Sequence, residues 1–240
     1  MRPAGIVSRT MARRPRVAPG GFPYHVPNRA AGRIKLLNGE KDFLAFENLL
    51  IEAHERFPIR ILAYCLMGNH WHLVVWPKGD GEVTAFFRWL THTHAMRWRT
   101  SHRTVGYGPL YQSRFKSFLI QQDEHLLTVC RYVERNALTA GLVKRAQDWR
   151  WGSLYAREHG SPELRAILSQ WPADRPADWT ARVNRAVTAR EKAAMEVSIR
   201  RGQPFGDEAW VARTVARLHL EHTIRPEGRP RREKAKEGKD

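Results

Sequence analysis

Two histidines stand two residues apart in the segment Gly68–Pro77, which reads GNHWHLVVWP. The apolar run predicts a β-strand, and the Gly-Asn pair before it is a turn signal of β-hairpins. Because side chains alternate faces along a strand, we expect His70 and His72 on one face and Trp71 and Leu73 in the core. Two imidazoles on one rigid strand could begin a metal site, or they could be polar residues of an exposed face.

A possible third group lies on an amphipathic helix predicted over residues 123–136, whose apolar residues recur at three- and four-residue spacing. Tyr132 and Asn136 stand beside this apolar stripe. They are four residues apart, so their side chains share one side of the helix. They could form an ordinary surface pair. They could also be a nucleophile and a metal ligand that point to the same place as the histidines.

Hydrophobic periodicity predicts the elements that position these groups. Strands are predicted over residues 22–29, 59–67, 70–76 and 111–120, and amphipathic helices over residues 40–56, 83–99 and 123–136. This order favours an α+β fold with a ferredoxin-like or RRM-like antiparallel sheet and helices on one face, plus a helical basic C-terminal extension. Prolines in the first strand predict an edge position for it.

The charge balance indicates the kind of partner. The 240 residues contain 41 Lys and Arg against 24 Asp and Glu, a formal net charge of +17. Such an excess favours a polyanionic partner, nucleic acid or an anionic membrane surface, and because no run of about 18 apolar residues exists, no segment is expected to span a bilayer. Together with the N-terminus and the cysteines described next, this favours nucleic acid. No signal peptide is recognisable at the N-terminus, and Cys65 and Cys130 lie in apolar runs. We therefore expect buried thiols and a cytoplasmic, nucleoid-associated protein.

Five regions are expected along the chain. They are a basic N-terminal arm (1–20), a catalytic domain (21–143), a Trp- and Pro-rich extension (144–180), a helical and possibly DNA-binding segment (181–224) and a basic tail (225–240). The start is open, because either Met1 or Met11 could be the first residue. Trp149 and Trp151 in the extension are interpreted as packing residues, with a lid as the alternative.

Aromatic and basic residues interleave on the predicted strand 111–120, a pattern that suits single-stranded nucleic acid. We expect Tyr111, Arg114 and Lys116 to contact it, while alternation turns Phe115 towards the core. Arg97 and Arg99 could line the same groove or form a solvated helix end. Asn28 and Arg29, at the end of the first strand, are also predicted to approach the substrate.

The tail contains Gly-Arg-Pro flanked by arginines, which resembles the core of an AT-hook. In such a segment Arg229 and Arg231 would enter a narrow minor groove. A merely solvated basic tail is an equal alternative. The segment before it, residues 202–220, could be a helical DNA-binding element.

Several ordered blocks resemble the HUH class of single-tyrosine transposases, and most closely the REP-associated tyrosine transposases. The blocks are GNHWHLVV (68–75), YQSRFKS (111–117), RYVERN (131–136), AGLV (140–143) and WRWGS (149–153). The resemblance implies that His70 and His72 are metal ligands, that Asn136 is the third ligand and that Tyr132 is the catalytic nucleophile. Ala137 departs from the family, which usually has proline there, so the helix could extend and shift Asn136.

The resemblance implies an enzyme that cleaves and rejoins single-stranded or hairpin DNA through a 5′-phosphotyrosine, with Mg²⁺ or Mn²⁺ as the ion. It implies no organic cofactor and no membrane partner, and it leaves monomer and homodimer open. Two alternatives remain: a domesticated DNA-binding protein that no longer cuts, and a metal-dependent phosphodiesterase that uses water instead of Tyr132.

Overall fold

The structure, a computed structural model, describes residues 16–32, 34–172 and 175–225. Its centre is a four-stranded antiparallel sheet in the order β2-β3-β1-β4. The strands are β1 (Tyr24–Arg29), β2 (Arg60–Met67), β3 (His70–Trp76) and β4 (Phe118–Leu119). The α+β fold class predicted from the sequence is confirmed.

Helices cover both faces of this sheet, whereas the sequence predicted helices on one face. Helices α1 (Glu40–Arg56) and α2 (Glu82–Ser101) pack against the face that carries Trp71 and Leu73. Helix α3 (Glu124–Glu134) packs against the opposite face. The reason is that β2 buries both sets of alternating side chains, so each face needs its own apolar cover.

Strand β1 is internal and not at the edge. It pairs along its whole length with β3 and at Tyr24 and His25 with β4. The backbone of Pro27 faces β4, because its carbonyl accepts from Lys116 N at 3.2 Å. Lys116 lies outside β4, so no regular ladder exists at this position. The missing N–H of Pro27 therefore costs no ladder hydrogen bond.

The predicted strand over residues 111–120 is mostly a loop, and β4 has two residues. Positive φ angles at Gly106 (92°) and Gly108 (77°) bend the chain after α2. An isolated bridge joins Tyr111 to Ala30, and regular pairing with β1 begins at Phe118. Phe115 is buried, as alternation predicted.

The predicted helix 123–136 is two helices. In α3 the side chain of Asp123 caps the first turn by accepting from His125 N at 2.8 Å. Helix α3 ends at Glu134, and Asn136 begins the short helix α4 (Asn136–Thr139). Arg135 between them keeps helical angles, so Tyr132 and Asn136 still face the same side.

The C-terminal half packs on the same sheet. Its helices are α5 (Ser153–His159), α6 (Pro162–Ala166), α7 (Trp179–Asn184), α8 (Ala189–Arg201) and α9 (Glu208–Leu218), with 3₁₀ turns at Ala146–Asp148 and Glu221–Thr223. Trp151 stacks on Phe43 with ring centres 4.7 Å apart, and Trp149 donates to the carbonyl of Leu66. The packing interpretation of both tryptophans is thus confirmed.

Both cysteines are free and buried, as predicted. Within the described residues, no helix combines the length and apolar character needed to cross a membrane.

Candidate active site

His70 stands at the first position of β3, directly after the hairpin turn. Its Nδ1 lies 2.6 Å from Asn69 Oδ1, and its Nε2 lies 3.3 Å from Asn136 Oδ1. The turn residue therefore orients the ring, and the start of α4 brings Asn136 to it. The side chains of His70 and Asn136, predicted to point to the same place, do meet.

His72 is buried and hydrogen-bonded to a third histidine that sequence reasoning missed. Its Nδ1 lies 2.8 Å from Nε2 of His25 on β1, and the two rings stack 5.0 Å apart. The alternative of an exposed face therefore does not hold for His72, because α3 packs on that side of the sheet. Alternation in β1 could have indicated His25. Tyr24 and Val26 point into the core on one face of the sheet, so His25 between them points to the other face, which also carries His72.

Tyr132 completes the cluster from α3. Its ring centre is 5.8 Å from that of His72 and 6.1 Å from that of His25. Burial raises the pKa of Tyr132, and the negative charge of Glu196 raises it further. The free phenol is thus a weak nucleophile, and catalysis needs groups that stabilise its anion or the developing transition state.

Burial keeps the imidazoles neutral. It lowers the pKa of His25 to about 3. Burial also lowers the pKa of His72 well below its ordinary value, with help from the neighbouring His25 and His70. The pKa of His70 is lowered by burial, against the opposing effect of Asn136. Neutral imidazoles are the form that binds metal ions.

The donor set fits a divalent ion. An amide oxygen only accepts, and a neutral imidazole has one N–H. With that proton on Nδ1, at the shorter contact to Asn69, Nε2 presents a lone pair to Asn136 Oδ1 at 3.3 Å. Adjacent ligands of an octahedral ion at about 2.1 Å lie about 3 Å apart, so a cation shared by these atoms relieves their repulsion.

His72 could supply a third donor through Nε2, since its Nδ1 is engaged by His25. Among the described residues, no group of three or more His, Cys, Asp or Glu side chains is arranged to hold a metal ion. The set that fits is therefore two imidazoles and one amide oxygen. Such a set leaves coordination positions for substrate oxygens.

A cavity of about 750 Å³ opens over these residues, and we call it the active-site cavity. His70, His72, Tyr132 and Asn136 all line it. Helix α8 supplies the opposite side through Lys192, Glu196 and Ile199. The sequence predicted this helix but gave no signal that it faces Tyr132, because no periodic pattern links residues so far apart.

The predicted DNA-binding residues are divided by the structure. Asn28, Arg29 and Lys116 line the active-site cavity. Arg114 lines a neighbouring groove that also includes Lys116. Arg229 and Arg231 lie outside the described residues.

Three of the predicted DNA-binding residues, Tyr111, Arg97 and Arg99, line neither the active-site cavity nor the neighbouring groove. Tyr111 is buried in the core, where its hydroxyl accepts from Trp71 Nε1 at 3.1 Å and contacts His94 Nδ1 at 2.7 Å. Arg99 is buried and donates to the carbonyls of the 107–109 loop. Arg97 pairs with Glu52 at 2.6 Å on the outer side of α1 and α2. Each has a structural partner that strand or helix periodicity does not reveal.

Comparison with known proteins agrees with this geometry. Residues 21–136 match the family described as "Transposase IS200 like". The solved "Structure of the REP associates tyrosine transposase bound to a REP hairpin" is similar in fold, with a TM-score of 0.50 and 18% sequence identity, over 68% of this chain and 93% of that chain. No curated protein matches the chain significantly.

Residues 21–136 therefore belong to the IS200-like transposase family. This segment ends at Asn136, so it contains His25, His70 and His72 as well as Tyr132. The predicted class, a single-tyrosine transposase, is confirmed.

Proposed function

We propose that this protein cuts and rejoins DNA at the active-site cavity through a covalent bond to Tyr132, with a divalent ion held by His70, His72 and Asn136. One observation carries the proposal: Nε2 of His70 and Oδ1 of Asn136 lie 3.3 Å apart, and both residues line the cavity beside Tyr132. A nucleophile next to a site for a cation is the arrangement that phosphoryl transfer needs.

The chain's own groups account for the first step. The Tyr132 oxygen forms a bond to phosphorus, the bond from phosphorus to the 3′ oxygen breaks, and the DNA 5′ end stays on the tyrosine. The phenol proton leaves to solvent, and the departing 3′ oxygen takes up a proton. Arg29 and Lys116 lie at the cavity to bind phosphate oxygens. Since the phosphodiester energy is kept, a 3′ hydroxyl can reverse the step.

Mg²⁺ or Mn²⁺, when bound, supplies Lewis-acid stabilisation of the charge that develops on the phosphate oxygens. His72 is held for this task by His25, which fixes the ring plane through the 2.8 Å hydrogen bond. Two imidazoles suit Mn²⁺ somewhat better than Mg²⁺, whose preferred ligands are oxygens.

The proposed substrate is single-stranded DNA, in particular the base of a hairpin. The similar solved protein is bound to a REP hairpin, and the net charge of +17 here favours a polyanion. No organic cofactor enters the proposed chemistry. We expect the protein in the cytoplasm, associated with nucleoid DNA, as a monomer or a homodimer.

The test is cleavage of an end-labelled hairpin oligonucleotide with Mn²⁺ or Mg²⁺, read on a denaturing gel. The wild-type protein should give a shifted protein–DNA band, and Tyr132→Phe should lose it while DNA binding persists. Tyr155→Phe is the matched control, because Tyr155 is a half-buried tyrosine on α5 outside the cavity. Cut DNA without an adduct would indicate a water nucleophile, and binding without cutting would indicate a non-cleaving protein.

A further inference from the structure

A second cavity of about 280 Å³ adjoins the active-site cavity, and we call it the basic groove. It lies between the loop before β4 and the C-terminal end of α8. Its cationic lining residues are Arg16, Arg114, Lys116, Arg200 and Arg201, with His222 beside them. None of the described residues that line it is acidic.

The groove is held together by specific contacts. The Arg16 guanidinium lies 3.5 Å above the Phe115 ring and donates to the Phe115 carbonyl. Arg201 Nε donates to the Thr223 carbonyl at 2.6 Å. Gly202 ends α8 with φ 73°, and a Cβ there would lie 3.5 Å from the Ser117 carbonyl, so the helix end sits close to the loop.

Two of these cations, Arg16 and Arg114, are close enough to repel one another. Burial and, to a smaller extent, the charge of Arg114 together lower the pKa of Arg16 to about 10. Within the described part of the chain, neither Arg114 nor Lys116 forms an ion pair with a carboxylate. Bound anionic groups would relieve this repulsion, which makes the groove suited to a polyanion.

Lys116 lines both the basic groove and the active-site cavity. Its backbone N donates to Pro27 on β1, so the two cavities are joined by one short piece of rigid backbone. A polyanion that enters the active-site cavity can therefore continue into the groove past Lys116.

The geometry points to the basic groove as a second binding site for the phosphate backbone of DNA, outside the cleaved position. The inference rests on the proposed DNA substrate. Two sources share this chemistry: the single-stranded flank and the hairpin stem. The groove increases affinity and fixes the direction of the strand, and it takes no part in the chemical step.

The test is the salt dependence of DNA binding, measured by fluorescence anisotropy with EDTA present so that nothing is cut. Arg114→Ala is the central variant, because Arg114 is exposed and its removal leaves the core intact. Arg165→Ala is the charge-matched control, since Arg165 is exposed on α6, beyond the opposite edge of the sheet. Arg114→Lys keeps the charge and tests whether charge alone matters.

For Arg114→Ala we expect weaker binding and a plot of log K against log salt that is shallower by about 0.7 for single-stranded contacts or about 0.9 for duplex contacts. Arg114→Lys and Arg165→Ala should match the wild type. A change seen only with a single-stranded flank assigns the groove to the flank, and a change seen only with a blunt hairpin assigns it to the stem.

Equal slopes for Arg114→Ala and Arg165→Ala would overturn the inference, as would weaker binding with an unchanged slope. Because no cleavage is measured, these results are independent of the tyrosine chemistry. A protein that forms the Tyr132 adduct yet shows equal slopes would refute the groove and leave the proposed function standing.

Discussion

Replacing His25 with leucine should separate metal binding from folding. His25 is fully buried, and among the described residues its hydrogen-bond partner is His72 Nδ1, while its own Nδ1 has none. An ion on Nε2 of His72 requires the proton on Nδ1, and His25 Nε2 is the acceptor for that proton. Without it, the His72 ring loses its fixed orientation.

The effect on stability should be small, because two terms oppose each other. His25→Leu leaves the buried Nδ1 of His72 without a partner, which costs about 1–3 kcal/mol. It also removes the unpartnered buried Nδ1 of His25, which stabilises the variant by a similar amount, about 1–3 kcal/mol. We therefore expect a net change in unfolding free energy within about 2 kcal/mol.

Metal affinity should fall much more clearly. Loss of an outer hydrogen-bond partner of a ligand typically weakens metal binding by about 10- to 100-fold. The assay is calorimetric titration with Mn²⁺, beside urea unfolding of the same samples. His25→Gln is the control, since its side-chain oxygen can still accept from His72. Wild-type Mn²⁺ affinity in a folded His25→Leu protein would refute this reasoning.

The remaining predictions test other parts of the site. Glu196→Gln removes a negative charge that raises the pKa of Tyr132, so the rise of the cleavage rate with pH should move to lower pH; an unmoved profile would contradict this role. His70→Ala should keep the fold, since the residue is half-buried, and lose at least about 100-fold of Mn²⁺-dependent cleavage, read on gels. Tyr111→Phe should lower the free energy of unfolding, measured in urea, by about 1–3 kcal/mol, because Trp71 and His94 lose a buried hydrogen-bond partner. The DNA affinity of this variant should equal that of the wild type. Weaker DNA binding by a stable variant would instead show that Tyr111 belongs to the DNA interface.

The parts of the site that depend on local periodicity could be predicted from the sequence. Alternation in β3 placed His70 and His72 on one face, and helical spacing placed Tyr132 and Asn136 on one side. Ala137 did not disturb this arrangement, because Arg135 keeps helical angles where α3 passes into α4. These relations hold because strand and helix periods fix side-chain direction within one element.

Relations between distant elements could not be predicted in the same way. The contact of His25 with His72 depends on the register between β1 and β3, which a single sequence does not specify. The ion pair of Arg97 with Glu52 depends on how α1 and α2 pack. The position of α8 over Tyr132 is likewise a tertiary result.

The irregular backbone was the other source of error. Residues 111–117 were predicted as part of a strand, yet among them only Tyr111 forms an isolated bridge, to Ala30, and no ladder forms. Pro27 predicted an edge position for β1, but the strand is internal, and Pro27 faces a stretch outside β4 where no regular ladder forms. In both cases the backbone hydrogen bonds between β1 and the chain before β4 determined the structure, and the strand propensity of the local sequence did not.

The most direct measurement is mass spectrometry of the protein after reaction with a hairpin oligonucleotide and Mn²⁺, followed by nuclease and trypsin digestion. The account predicts a nucleotide attached through a 5′ phosphate to the peptide that contains Tyr132, and no such peptide from His70→Ala. Attachment at another residue, or cleaved DNA with unmodified Tyr132, would contradict it.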